Sequence, residues 1–167
     1  MTEIKPENLT DNPFKLIDKD WLLITAEKDG KVNTMTASWG GLGILWNKKV
    51  ATVYIRKSRY TKEFVDNGDY FSLCVLPEQY REQLAYCGRV SGRTEDKIKA
   101  CGFTVEHNGD IPYFAESRLV LNCRKLYAQE LSAESFVDGA KDIIEACYSN
   151  NDWHVMYIAE IESILIK

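Results

Sequence analysis

Trp153 to Ile166 reads as one long alternating strand with Val155, Tyr157, Ala159, Ile161 and Leu165 on a single face, a period of two that no helix can present. Shorter runs repeat the pattern upstream. Trp21 to Ala26 and Lys31 to Ser38 flank the tight-turn pair Asp29-Gly30 and form a hairpin, and Ile44 to Trp46 and Val50 to Arg56 flank the turn Asn47-Lys48-Lys49. Tyr70 to Leu76 sets Phe71, Leu73 and Val75 against Tyr70, Ser72 and Cys74, as a half-buried strand does. Strand character returns from Arg118 to Tyr127, with Leu119 and Leu121 as core candidates. Gly40-Gly41-Leu42-Gly43 reads as an interruption, and Asn108-Gly109 with Pro112 as an irregular piece.

Short helices fill the gaps. Ser58 or Thr61 caps one through Glu63-Phe64-Val65, which Asn67-Gly68 ends with a left-handed residue. Pro77 opens a second that carries Tyr80, Leu84 and Cys87 and closes at Gly88; a third covers Glu95 to Cys101 and stops at Gly102. Ser135 to Tyr148 fits either a loop or a pair of helical turns. Five or more antiparallel strands with helices this short predict a mainly β chain closed into a small barrel.

At 167 residues the chain suffices for one domain with a sizeable core. A net charge of −4 argues against a general nucleic-acid binder. Basic residues gather only locally, at Arg56 to Arg59 and Arg89 to Lys99, which suits one small anionic ligand better than a polymer. The polar start Met1 to Pro6 predicts no secretory signal, and the lack of an eighteen-residue apolar stretch predicts no spanning helix and no membrane partner. Five cysteines without a CxxC pair indicate neither a disulfide framework nor a metal site, so a cytoplasmic location is expected.

The chemistry concentrates in Asn33-Thr34-Met35-Thr36-Ala37-Ser38-Trp39-Gly40-Gly41, Trp46 and Arg56-Lys57-Ser58-Arg59-Tyr60-Thr61. Small residues let backbone N–H groups approach a ring edge, hydroxyls bond polar ring atoms, and guanidinium groups beside hydroxyls hold phosphate. A phosphorylated isoalloxazine meets all three demands.

With Cys87-Gly88-Arg89-Val90-Ser91-Gly92-Arg93, Asp96-Lys97 and His154 to Ile161, these blocks give a chain that resembles the flavin reductase-like, FMN-binding split-barrel family, in particular its flavoredoxin-type branch. It departs from that pattern mildly, at Lys49, Thr94-Glu95 and Ala159. The resemblance implies a six-stranded antiparallel Greek-key split barrel over residues 20–167 preceded by an N-terminal arm over 1–19, a homodimer, and FMN bound near the dimer interface. It also implies hydride transfer from NAD(P)H, a transient donor in the absence of a dinucleotide fingerprint, or electron carriage for a redox partner protein.

Under that resemblance Thr36, Ala37, Ser38 and Trp39 border the ring, Asn33, Thr34 and Met35 belong to the same cofactor-binding segment, and Arg56, Ser58, Arg59, Tyr60 and Thr61 cradle the phosphate. Ser91, Gly92 and Lys97 reach the phosphate or pyrimidine end, Cys87 and Gly88 lie nearby, and His154 faces the flavin or the nicotinamide as the candidate catalytic group. His107 reads as loop.

Overall fold

The computed structural model describes all 167 residues, with strands β1 (Thr2–Ile4), β2 (Leu22–Lys28), β3 (Lys31–Ala37), β4 (Gly40–Leu45), β5 (Lys48–Arg56), β6 (Tyr70–Val75), β7 (Val105–Asn108), β8 (Ile111–Phe114), β9 (Leu119–Glu130) and β10 (His154–Ile166). The helices are α1 (Thr61–Asn67), α2 (Arg81–Arg89), α3 (Lys97–Cys101) and α4 (Asp142–Tyr148). The main sheet runs β3-β2-β6-β9-β10-β5-β4, with β1 also on β10 and every pair antiparallel. The split-barrel expectation holds, but the sheet has eight strands in place of six. The strand read from Ile44 begins earlier, in the glycine run, as β4, and Thr2–Ile4 adds a strand that the sequence did not suggest by pairing with Ile164–Ile166.

Asp29 and Gly30 take φ values of 51° and 73°, the left-handed pair that a two-residue hairpin turn needs to match strand twist. The β4–β5 turn has the same form but sits one residue earlier than expected, at Trp46 and Asn47, with φ 52° and 57°. Glycine at position 40 serves close approach and not interruption, because a Cβ there would meet the Thr52 carbonyl oxygen at 2.7 Å.

Two apolar layers use the two faces of the sheet. Ile24, Val53, Ile55, Phe71, Leu73 and Tyr157 fill the barrel; Leu23, Cys74, Leu84, Cys87, Phe114 and Val120 pack outside it, under α2 and the β7–β8 hairpin. Complete burial of each large side chain stabilises by roughly 1.5–3 kcal/mol. This second layer overturns two expectations. The Asn108-Gly109 region is a hairpin, with Gly109 at φ 60° in its turn, and β6 is buried on both faces, Ser72 Oγ donating to the Pro112 carbonyl at 2.5 Å.

Strand β10 also departs from simple alternation. Register shifts against β9 fall between Ile158 and Ala159 and between Ile161 and Ser163. A bulge reverses which side chains face inward, so Ile164 enters the barrel and Leu165 joins the outer layer. Near the N-terminus, Leu16 and Ile17 are buried in the barrel.

Three helix details differ as well. Tyr60 precedes α1 without a side-chain cap, and Gly68 is extended at φ −102°, its N–H bonding the Phe64 carbonyl. Gly88 lies inside α2, which runs on to Arg89, and packs against Thr36 on β3. Only α3 ends as expected, on left-handed Gly102 at φ 68°.

Candidate functional site

The end of β3, the turn after β5 and the start of β10 meet at one cleft, lined by Met35, Thr36, Ala37, Ser38, Trp39, Tyr54, Arg56, Arg59 and His154. The two sequence blocks that carry the ligand chemistry therefore converge. Pairing places His154 opposite Arg56, and the β3–β4 corner brings Ser38 and Trp39 over them, the Trp39 and His154 rings lying 5.0 Å apart.

Along β3 the side chains divide by face. Met35 and Ala37 belong to the barrel core, while Thr36 Oγ1 donates to the Leu84 carbonyl of α2 at 2.5 Å. That hydroxyl proton is committed to the fold. Thr34 does not join the cleft: its Oγ1 bonds the Ile24 carbonyl at 3.0 Å and Thr25 Oγ1 at 2.9 Å. Asn33 is buried and its Nδ2 donates to Thr61 Oγ1 at 2.9 Å. Gly92 packs against Asn33 so closely that a Cβ would lie 2.2 Å from Asn33 Oδ1 and 3.2 Å from the Tyr60 ring. Asn33, Tyr60, Thr61 and Gly92 thus form the joint that locks the 91–93 loop and α1 onto β3, behind the cleft. Ser91 holds the loop's turn through its carbonyl, which accepts from the Thr94 and Glu95 amides.

The cations are arranged unusually. Arg59 Nη1 donates to the Gly88 carbonyl at 2.6 Å, and buried Lys97 Nζ donates to the carbonyls of Cys87 at 3.1 Å and Val90 at 3.2 Å. Burial lowers the pKa of both groups, and neighbouring Arg56 adds to the effect on Arg59. Arg56 itself donates to the carbonyls of Cys147 at 3.1 Å and Asp152 at 2.7 Å and lies over the Tyr148 ring. All three are held by neutral carbonyls and none by a carboxylate. The carboxylate of nearby Asp152 accepts instead from the Ser58 amide at 3.1 Å and Ser58 Oγ at 2.6 Å. Partly buried cations without counter-charge are costly, and a bound anion relieves that cost.

His154 is buried, with Nδ1 2.9 Å from the Tyr148 hydroxyl. Burial, and then the positive charge of Arg56, pushes its pKa down to about 4. Burial also raises the Tyr148 pKa, so phenol and imidazole meet as two neutral groups sharing one hydrogen bond. The sign of the pH effect follows. An unfolded imidazole titrates near 6.5, so between about 4 and 6.5 the unfolded chain binds more protons and stability falls as pH falls through that window. Urea midpoints measured from pH 7 down to pH 4.5 should drop more steeply for the native chain than for His154→Phe.

Sequence reasoning missed Tyr54, Tyr148 and Asp152. Tyr54 could have been found from the period of two, since it lies two residues before Arg56 on β5. Tyr148 and Asp152 belong to a stretch with no strand period, whose turns are fixed by long-range contacts such as the bonds from Arg56 to the Cys147 and Asp152 carbonyls.

An antiparallel split barrel with a cation-floored cleft where β3, β5 and β10 meet defines the class of protein. The chain belongs to the flavin reductase-like family: the model of the flavin reductase like domain matches residues 17–167. No curated protein matches it in sequence. Among solved structures it is similar in fold to flavoredoxin from Methanosarcina acetivorans, at TM-score 0.71 and 23% identity over 89% of this chain and 68% of that one. It is similar too to an FMN-binding domain of a flavin reductases-like enzyme from Shewanella baltica OS155, at TM-score 0.70 and 19% identity over 98% and 75% of the two chains. A third is the styrene monooxygenase flavin reductase from Pseudomonas putida S12, at TM-score 0.63 and 15% identity over 88% and 79%. No helix of the structure is long and apolar enough to cross a membrane.

Proposed function

We propose that the chain holds FMN in this cleft, takes a hydride from NAD(P)H and passes the electrons to an acceptor. The observation that carries the reading is the pair Arg56 and Arg59, which line the cleft with Ser38 and Trp39 and hydrogen-bond no carboxylate, with buried Lys97 behind Arg59. A phosphate monoester supplies the missing negative charge, and a planar ring suits the wall between Ala37 and Trp39. FMN, when bound, supplies the two-electron acceptor. Arg59 would hold the phosphate, and Lys97 would raise the local positive potential from behind. The amides of Ser38 and Trp39 would face the ring edge, where donors favour added electron density. His154, held neutral, would act by hydrogen bonding and not as an imidazolium acid. The chain's work is positioning and exclusion of water.

In this reading the active form is a homodimer. Around edge strand β4, Phe14, Trp39, Ile44, Leu45 and Trp46 are exposed, an apolar face that a second copy would cover. Five free cysteines suit a reducing cytoplasm. The same exposed aromatics favour a second reading, an electron carrier of the flavoredoxin kind that docks a redox protein beside the cleft.

Anaerobic stopped-flow mixing of FMN-loaded protein with NADH and with NADPH separates the two. Bleaching of the yellow band by either supports the reductase. No bleaching with both, together with fast reduction by a ferredoxin-type protein, would replace it with the carrier.

A further inference from the structure

Cys87, near the end of α2, is fully buried; Cys101, the last residue of α3, is partly exposed; and their Sγ atoms lie 3.7 Å apart. Neither thiol has a part in the flavin reading. The helices that carry them are already joined at the other end of α3, where Lys97 reaches back to the Cys87 carbonyl. Left-handed Gly102 follows Cys101 directly and gives the chain a pivot at the second sulfur. A disulfide needs the sulfurs at about 2.05 Å, so closure asks for a movement of under about 2 Å in a five-residue helix. Cys74, Cys123 and Cys147 have no sulfur partner, which singles out this pair.

We infer that Cys87 and Cys101 form a dithiol that closes reversibly into an intramolecular disulfide when the protein meets a hydroperoxide. The more exposed Cys101 attacks the peroxide. Its sulfur takes one oxygen as the O–O bond breaks, the peroxide leaves as an alcohol or water, and Cys101 becomes a sulfenic acid. Cys87 sulfur then displaces that oxygen as water and forms the S–S bond. Two thiols lose two hydrogens and two electrons, and one peroxide is reduced to alcohol and water; an external dithiol reverses the change.

Burial sets the pace. It pushes the Cys87 thiol up to about 12 and raises Cys101, with the Lys97 ammonium opposing the effect at both. Thiolate is the reacting form, so closure is slow at neutral pH and quickens about tenfold per pH unit below the thiol pKa.

The inference does not depend on flavin binding, and its test uses the full chain without flavin. The protein is treated with hydrogen peroxide at mildly alkaline pH, alkylated, and followed by intact mass and peptide mapping. The expected result is a loss of two hydrogens, a fall from five alkylatable thiols to three, a linked Cys87–Cys101 peptide, and recovery with dithiothreitol. In Cys101→Ser the two-hydrogen loss disappears. Mapping on the native chain needs no variant, so a folding defect in Cys101→Ser leaves the test intact. Five thiols surviving the treatment would overturn the inference. So would Cys101 accumulating as a sulfinic acid beside a free Cys87, or a linkage between two chains.

Discussion

Arg59→Ala lowers FMN affinity by about 10- to 100-fold and leaves riboflavin affinity within about twofold, because a charge-assisted hydrogen bond contributes roughly 1.5–3 kcal/mol and riboflavin has no phosphate to accept it. The guanidinium is held toward the cleft by a single bond to the Gly88 carbonyl, so its removal deletes a ligand contact and little of the fold. Arg56→Ala behaves differently. Arg56 ties the carbonyls of Cys147 and Asp152 to the barrel, and its loss frees the segment that supports Tyr148 and His154. Both ligands then weaken together. Fluorescence quenching titrations with FMN and riboflavin measure the contrast, and equal losses for both in Arg59→Ala would remove that residue from the phosphate contact.

Gly92→Ala destabilises the chain by about 1–3 kcal/mol, the usual cost of forcing a methyl into a filled site, and abolishes measurable FMN binding. The added carbon would collide with Asn33 Oδ1 and crowd the Tyr60 ring, so the Asn33 side chain must leave its bond to Thr61 or the 91–93 loop must shift. Asn33→Ala alone leaves Thr61 Oγ1 without its donor and costs a comparable amount. The double variant should be less destabilised than the sum of the two, since the smaller side chain leaves room for the new methyl. Urea unfolding of the four proteins measures the coupling; strict additivity would show that the two positions do not press on one another.

Much of this arrangement was legible in the residues, and the parts that were not share a cause. Local chemistry located β2, β3, β5 and β10, because alternation and the Asp29-Gly30 turn act over a few residues. It also put Arg59 and the 35–39 segment at one site. What escaped was decided at long range. Alternation in β6 suggested one wet face, yet the β7–β8 hairpin covers it from forty residues away through the Ser72–Pro112 bond. The hydroxyls of Thr34 and Thr36 both suit ring donors in the sequence; strand register gives one to Ile24 and the other to α2. Arg56 and Ser58 suit phosphate ligands by residue type, but contacts with Cys147 and Asp152, some ninety residues on, occupy them. Leu165 changed layers because a bulge at Glu162 shifted its phase.

The most direct test of the whole account is a crystal structure of the protein loaded with FMN. We expect the phosphate within hydrogen-bond reach of Arg59 and the ring edge against the amides of Ser38 and Trp39. A phosphate bound away from Arg59, or a ring seated outside the corner where β3, β5 and β10 meet, would contradict it.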